Sequence, residues 1–330
     1  MKIFLFPTLV GVVGLIAVLL SSGIAAFFTA LLLVLLEVTL SFDNAVVNAR
    51  ILKDMSAVWQ RRFLTWGIAI AVFGTRIILP ILIVGAVSAL SPWVVAKIAA
   101  TDPVQYAHLL ETAHHSIAAF GAAFLCMVAL RYFFDVNKET HWIGHIERHL
   151  AKLGAIQAVE IAVVLSLLLI VSMIVPDERG TILMAGAIGI VLFVLMEGLT
   201  TVLSLNSNVI LNGGLGGFLY LEVLDTAFSL DGVVGAFAIT SNLLIISIGL
   251  GLGAYFVRSM TVYLVREGTL THLRYLEHGA HWAILGLGGA MALSLVTEVP
   301  EIATAFIGIV FIGASYVSSI RERTLLQSHS

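Results

Sequence analysis

Two acidic stretches inside long apolar runs decide the fold of this chain: EVTLSFDNAVVN, residues 37–48, and EVLDTAFSLDGV, residues 222–233. Together they hold five Asp or Glu residues. An ionised carboxylate at the centre of a bilayer costs at least about 2.5 kcal/mol on insertion scales. Acids in such a place therefore need basic partners or a water-filled cavity. The rest of the sequence shows that the apolar runs face lipid.

The overall composition is that of a membrane protein. The 330 residues are 60% hydrophobic and only 11% charged, and the mean hydropathy is +1.06. Soluble domains carry about 25% charged residues, so this chain lacks the polar surface to solvate a globule of its size. The single cysteine, Cys126, excludes an internal disulfide framework. The net charge of −3 gives no indication of nucleic-acid binding.

Apolar stretches long enough to cross about 30 Å of hydrocarbon recur along the whole chain. Backbone polar groups in lipid must be satisfied within the segment, so these stretches are predicted to be helices rather than strands. The sequence predicts an all-α, polytopic transmembrane helix bundle of about ten helices in a single membrane domain, residues 1–330. The predicted spans lie near 5–22, 24–49, 64–90, 113–133, 156–175, 181–204, 215–239, 242–265, 279–296 and 301–320.

The two acidic stretches belong to a longer internal repeat. Aligned on Ser-x-Asp, Asp43 matches Asp231 and Glu37 matches Asp225. The next helix of each copy carries one arginine inside the span, and the helix after that opens with an acid and a histidine four residues apart. In chain order these residues are Arg76, then Glu111 and His115, in the first copy, and Arg258, then Glu277 and His281, in the second.

The Lys and Arg residues of the loops predict the orientation, because cytoplasmic loops are enriched in them. With a cytoplasmic N-terminus, thirteen of the 17 Lys and Arg residues fall inside and only Lys97 and Arg179 fall outside. Both termini and the loop 134–155 are then cytoplasmic, and the membrane is the plasma (bacterial inner) membrane. The first copy, about 24–133, enters from outside and the second, about 215–296, from inside. This predicts an inverted three-helix repeat with a site at the bilayer midplane, as in many secondary transporters.

The spacing of the acids predicts an interrupted helix. A separation of six residues, as between Glu37 and Asp43, places two groups about 9 Å apart along a helix and about 120° apart around it. A continuous helix would not aim both at one ion, whereas a break would, and unwound carbonyls could join them as ligands. The residues that permit a break are Thr39, Ser41, Ser229, Gly232 and Gly235.

Hard oxygen donors in this number favour manganese, magnesium or calcium. The alternative interpretation is that the acids only hold helices together by pairing with Arg76 and Arg258. Two arginines cannot neutralise five carboxylates, so pairing explains part of the set. The arginines are also candidates for occupying the acids when no metal is bound.

Other titratable residues are weaker candidates. The pairs Glu111/His115 and Glu277/His281 could be outer ligands, gating groups or proton acceptors, or simply acids favoured in a first helical turn. Glu160 and Glu197 lie in spans without an evident partner. Three histidines recur every four residues in the 134–155 loop: His141, His145 and His149. An amphipathic surface helix or a metal sensor would explain this spacing.

At this point the sequence resembles a known family. The two acidic stretches, together with the later stretch YLEHGAHW at residues 275–282, are similar to the motifs of TerC-like integral membrane proteins, in a longer branch of that family. The resemblance covers nearly the whole chain. It implies export of a divalent cation, chiefly manganese, within the inverted-repeat cation exporter superfamily, and for some relatives a link to tellurite resistance and membrane stress. By this resemblance the site would be Glu37, Asp43, Asn44, Glu222, Asp225 and Asp231.

Two classes of function follow. No phosphate-binding glycine loop and no His-Glu-x-x-His motif occurs, so the chain is not predicted to be an enzyme, and uphill transport would use an ion gradient such as protons. The 134–155 loop and an extra pair of helices distinguish the chain from the shorter relatives. The alternative to transport is therefore a membrane scaffold or metal-responsive subunit, which binds cation without moving it and recruits cytoplasmic partners through that loop.

Overall fold

The computed structural model describes residues 2–205, 214–240, 242–268 and 273–328, and in these ranges every regular element is helical. The predicted helical bundle is confirmed at this level. The first half contains α1 (Lys2–Leu40), α2 (Phe42–Leu52), α3 (Ala57–Ala69), a π-helix (Ile70–Ile78), α4 (Leu79–Val87), α5 (Pro92–Thr101), α6 (Pro103–Thr112) and α7 (His114–Phe133). The second half contains α8 (Gly144–Leu153), α9 (Val159–Ile174), a 3₁₀ turn (Pro176–Glu178), α10 (Arg179–Leu205), α11 (Gly214–Ile239), α12 (Leu243–Arg266), α13 (Leu276–Ser294) and α14 (Glu301–Ser328).

Several helices have the dimensions of membrane spans. In the described ranges, five helices are long and apolar enough to cross a membrane, and α9 is a shorter apolar helix. The five are Ile3–Thr39, Ala57–Val87, His114–Phe133, Pro176–Gly198 and Leu243–Arg266. Their outer surfaces carry large apolar side chains, which lipid can cover. The chain therefore has the build of a membrane-associated helical bundle.

The helix α1 is a hairpin of two arms that turn at Gly23, where φ is 85° and ψ is −178°. The contacts with α12 show the reversal. A Cβ on Gly14 would lie 3.2 Å from Leu252 of α12, and a Cβ on Gly249, one turn earlier in α12, would lie 2.6 Å from Leu33. Positions before and after Gly23 thus meet the same level of α12. This agrees with the separate spans predicted at 5–22 and 24–49.

Small residues place α7 at the centre of the bundle. Its buried face is rich in alanine and packs against α10 and α13. At Gly189 of α10 a Cβ would lie 2.7 Å from the carbonyl oxygen of Phe120, and at Gly121 a Cβ would lie 2.2 Å from Met291 of α13. Such close approach lets helices gain packing energy where lipid supplies no hydrophobic drive between them.

The segment between the third and fourth predicted spans is more structured than the sequence indicated. It forms α5 and α6, each with proline at its start and with the capping side chains of Ser91 and Asp102 accepting hydrogen bonds from backbone N–H groups. Because α6 ends at Thr112 and α7 begins at His114, Glu111 and His115 lie on consecutive helices. Their predicted placement on one face of a single helix is wrong.

Candidate functional site

The first acidic stretch is divided between two helices. Glu37 lies near the end of α1 and Asp43 in the first turn of α2, and Ser41 between them has left the helical region with φ −97° and ψ 14°. The hydroxyl of Ser41 donates a hydrogen bond to Glu37 Oε1 at 3.1 Å. The predicted break between the two acids is confirmed in this copy.

The second acidic stretch lies on an unbroken helix. The backbone of α11 is α-helical throughout Gly214–Ile239, so a break near Ser229 or Gly232 is absent from this described segment, and that prediction is wrong. Glu222 and Asp225 occupy one face, three residues apart, and both are buried. Asp231 belongs to α11, but its side chain is outside the described residues.

The two stretches lie side by side and run in opposite directions. Three contacts give the register. The amide of Asn44 donates to Asp225 Oδ1 at 2.7 Å. A Cβ on Gly232 would lie 3.5 Å from Glu37 Oε2, and a Cβ on Gly217 would lie 3.7 Å from Ile51. Residue numbers rise on one helix as they fall on the other. Glu37 and Asn44 of the first copy therefore lie against Gly232 and Asp225 of the second.

Arg258 of α12 binds both acids of the second stretch. Its guanidinium donates to Glu222 Oε1 at 2.9 Å and Oε2 at 3.0 Å, and to Asp225 Oδ2 at 2.9 Å. It also stacks 4.4 Å from the centroid of the Phe63 ring. The side chain is only 1% exposed. Gly67 of α3 makes room for this group, since a Cβ there would lie 2.2 Å from Arg258 Nη1.

Arg76 binds one acid of the first stretch. It lies in the π-helix and is as buried as Arg258. Its Nη2 pairs with Glu37 Oε1, while Nη1 donates to the carbonyl of Ala71 at 2.6 Å. The alternative interpretation of the acids as ion-paired residues therefore holds for Glu37, Glu222 and Asp225.

Four buried groups beside these pairs lack the partners that would satisfy them. Asp43 is 2% exposed, accepts a backbone hydrogen bond from Asn44 and has no basic side chain within ion-pair distance in the described part of the chain. Buried side-chain oxygens without a hydrogen bond occur on Asn44, Asn48 and Ser229. No group of three or more His, Cys, Asp or Glu side chains in the described ranges is arranged around a single metal position. The donors available are mainly hard oxygens.

The later acid–histidine pair borders a cavity. Glu277 pairs with Arg50. His281 Nδ1 donates a hydrogen bond to the Glu277 carbonyl oxygen at 2.8 Å, and its ring stacks 3.7 Å from the Tyr132 ring. Arg50, Tyr132 and His281 line a cavity of about 720 Å³, which Val47 of α2 and Glu197 of α10 also line. The cavity reaches the helix that carries Asp43 and Asn44. Glu111, in contrast, is exposed.

Two interactions were missed from the sequence. Glu160 and Glu197 both pair with Arg131, at 3.4 Å and 2.5 Å, although neither had an evident partner in sequence. Glu147, in the 134–155 loop, is completely buried against α13. It accepts hydrogen bonds from His278 Nδ1 at 2.8 Å and Trp282 Nε1 at 3.0 Å. Burial raises the pKa of Glu147, but these hydrogen bonds and the charge of Lys138 outweigh it and hold the pKa at about 2.

The comparisons with known proteins identify the family but no activity. The chain belongs to the family described as "Protein of unknown function (DUF475)", whose model matches residues 42–325. Neither the search of curated proteins nor that of solved structures found a match. The match includes α2, α11 and α12, which carry most of the site.

Proposed function

We propose that this DUF475-family chain is a secondary transporter that exports a divalent cation, with manganese as the substrate and calcium or magnesium as the alternatives. The substrate binds where the two acidic stretches cross, at Glu37, Asp43, Asn44, Glu222, Asp225 and Asp231. The TerC-like resemblance of the same residues points to the same activity, and to metal stress or tellurite resistance as its setting.

One observation carries the proposal: buried oxygen acceptors without partners collect at this crossing. An unsatisfied buried acceptor costs about 1 to 3 kcal/mol, so several together are expensive unless a ligand uses them. Among the described residues, the side-chain oxygens of Asn44, Asn48 and Ser229 have this character. Asp43 beside them is a buried carboxylate that accepts one backbone hydrogen bond and has no basic partner in the described ranges. Hard divalent cations take carboxylate, amide and hydroxyl oxygens as ligands. The donor set therefore fits the proposed substrate.

The paired contacts support an inverted repeat of about ten spans. In the alignment that matches Asp43 with Asp231, Glu37 corresponds to Asp225 and Asn44 to Gly232. The contact of Glu37 with Gly232 and that of Asn44 with Asp225 are then the same contact with the two copies exchanged. A two-fold axis in the membrane plane between the halves produces such exchanged contacts, and the transported ion binds near that axis in transporters of this architecture.

The charge balance favours proton coupling. The described acids Glu37, Asp43, Glu222 and Asp225 carry four formal negative charges, and Arg76 and Arg258 carry two positive ones, so the sum is −2. One divalent cation matches that deficit, and Asp231 adds a further acid. When the metal leaves, protons on closely spaced carboxylates are the simplest replacement. Inward proton flow would then drive the metal out.

The cavity of about 720 Å³ is the access route in this proposal. It approaches the crossing from the side of the 134–155 loop, which is the predicted cytoplasmic side. His281 lines this cavity, and Glu277 pairs with Arg50, which also lines it. In the proposal Glu277 and His281 are gating groups, and Glu277 exchanges Arg50 for the ion. Orientation with both termini in the cytoplasm is part of the proposal.

Manganese flux into and out of proteoliposomes tests the proposal. Asp43→Asn keeps the size of the side chain but removes its charge, and we expect it to lower the flux at least tenfold. Asp177→Asn, the same change at an exposed position in the turn between α9 and α10, serves as the matched control and should keep wild-type flux. Asp231→Asn should behave as Asp43→Asn does.

The outcomes separate the classes of function. Wild-type flux in a well-folded Asp43→Asn variant would refute this site. Saturable manganese binding without flux in the wild-type protein would favour the scaffold or metal-responsive subunit, with cytoplasmic partners at residues 134–155. A pH dye inside the vesicles tests coupling: an outward manganese gradient should drive proton uptake, and flux without proton movement would refute antiport.

A further inference from the structure

The loop between α7 and α9 holds a small amphipathic helix, α8, with three distinct sides. Glu147 and Leu150 lie on the side that packs on the bundle. Ile146 and Leu153 are large apolar residues that remain 46% and 43% exposed. The remaining side is basic and polar and consists of His145, Arg148, His149 and Lys152.

Glu147 fixes this helix in place. Besides its bonds to α13, it accepts hydrogen bonds from the backbone N–H groups of Trp142 and Ile143, at 3.1 Å and 3.3 Å. Lys138 Nζ lies 3.2 Å from Glu147 Oε2. A carboxylate with this many donors orders the chain on both sides of it. The basic side of α8 is thus held in a fixed position on the helical bundle.

A cavity of about 390 Å³ opens on that basic side. No Asp or Glu lines it, and its polar lining consists of Lys138, His141, His145, Arg148, His149 and Lys152. Within the described part of the chain, His141 Nδ1 is buried without a hydrogen bond. The Lys138 side chain is only 8% exposed, and its Nζ pairs with Glu147 and lies 3.9 Å from the centroid of the Tyr132 ring. Glu147 offsets the charge of Lys138, but Arg148 and Lys152 have no acidic partner among the described residues. The cavity therefore has donors and positive charge to offer an anion.

The position of α8 indicates where the anion comes from. The loop joins the apolar helices α7 and α9, so α8 lies at the level where those helices leave the hydrocarbon. A helix with apolar residues beside a basic side is typical of the membrane interface, where it contacts anionic headgroups. Arg and Lys bind phosphate oxygens through strong charge-assisted hydrogen bonds.

We propose that the cavity beside α8 binds the phosphate of an anionic phospholipid headgroup, with Arg148, Lys152 and Lys138 as its cationic ligands and His141 as a further donor. The exposed Ile146 and Leu153 would meet the adjoining lipid chains. This site is separate from the acidic crossing and does not depend on transport.

The test is the thermal unfolding of the purified full-length protein in an uncharged detergent without metal. Phosphatidylglycerol should raise the unfolding midpoint by about 3 °C or more above the value with phosphatidylcholine. The double variant Arg148→Gln/Lys152→Gln should lose at least half of that difference. The charge-preserving variant Arg148→Lys/Lys152→Arg should keep it, which separates ligand loss from damage to the helix.

The matched control is Lys53→Gln/Arg61→Gln, which removes two exposed positive charges near α2 and α3. It should respond to phosphatidylglycerol as the wild type does. Equal stabilisation by the two lipids, an undiminished response in Arg148→Gln/Lys152→Gln, or an equal loss in the control would each overturn the proposal. An equal shift with inorganic phosphate alone would assign the cavity to a free anion instead of a lipid.

Discussion

The first and second acidic stretches carry related residues but hold them in different ways. In the second stretch one guanidinium, Arg258, binds both acids with three hydrogen bonds on an unbroken helix. In the first, Arg76 pairs with Glu37, the helix breaks at Ser41, and Asp43 has no basic partner in the described part of the chain. The same sequence pattern thus gives one rigid, ion-paired half and one half with an uncommitted carboxylate. The comparison indicates that Arg258 mainly secures the fold, whereas Asp43 is free for a ligand.

The largest effect should come from removing the arginines. Arg258→Ala leaves Glu222 and Asp225 buried without their partner, and breaking a buried pair in this way costs about 3 to 5 kcal/mol. Arg76→Ala leaves one carboxylate with the Ser41 hydroxyl still in place, and should cost about 1 to 3 kcal/mol. Denaturant unfolding in detergent measures both. Equal losses would contradict the proposed difference between the halves.

Neutralising one acid in each stretch should separate stability from function. Asp225→Asn removes an acceptor of hydrogen bonds from Arg258 and Asn44, and we expect a loss of about 1.5 to 3 kcal/mol. Asp43→Asn removes a buried charge that has no cationic partner, so its unfolding free energy should be unchanged or higher. Both should abolish manganese flux. An Asp43→Asn variant less stable than Asp225→Asn would show that Asp43 is the structural acid.

Two glycines, Gly67 beside Arg258 and Gly232 beside Glu37, test the difference between the two stretches by added steric bulk. Gly67→Ala places a Cβ 2.2 Å from Arg258 Nη1, and overpacking a tight site costs about 1 to 3 kcal/mol. Gly232→Ala meets Glu37 Oε2 at 3.5 Å, an ordinary contact. It should leave the unfolding midpoint within error of the wild type. A Gly67→Ala variant of full stability would mean that the Arg258 group is loosely held.

The smallest effect concerns the two matched serines. Ser41→Ala removes the hydroxyl that donates to Glu37, at a cost of about 1 kcal/mol. Ser229 makes no hydrogen bond through its buried oxygen, so Ser229→Ala should not lower stability. It should instead raise the KM for manganese, if that oxygen is a ligand. Unchanged transport kinetics in Ser229→Ala would remove Ser229 from the site.

The sequence predicted those parts of the molecule that depend on local pattern. The lengths of the apolar stretches predicted the helices, and the alignment of the two acidic stretches predicted that they share one site. The structure brings Glu37 near Gly232 and Asn44 near Asp225. The break at Ser41 followed from helical geometry, but the same reasoning failed for Ser229. Tertiary packing of α11 against α2 and α3 keeps that helix intact, and no local signal records this packing.

Contacts between residues far apart in sequence were the other limit. The sequence offered no prediction for Glu147, because its partners His278 and Trp282 follow 131 and 135 residues later. Glu160 had no visible partner because Arg131 belongs to another helix. The sequence also could not predict that, among the described residues, Arg258 binds two carboxylates and Arg76 only one, since this depends on which carboxylates each guanidinium can reach.

In the proposed topology, the turn at Gly23 sets the side of the membrane from which the chain approaches the first acidic stretch. The segment Ile3–Thr39 has 37 residues, and as one straight rod it would be about 55 Å long, nearly twice the hydrocarbon thickness of about 30 Å. Reversal at Gly23 converts it into two shorter arms, and in the proposed topology the second arm re-enters the membrane and carries Glu37 towards the level of the proposed site. No atom lies within 4 Å of a Cβ at this position. The positive φ favours glycine, and in the proposed topology this one turn decides the side from which the chain approaches Glu37.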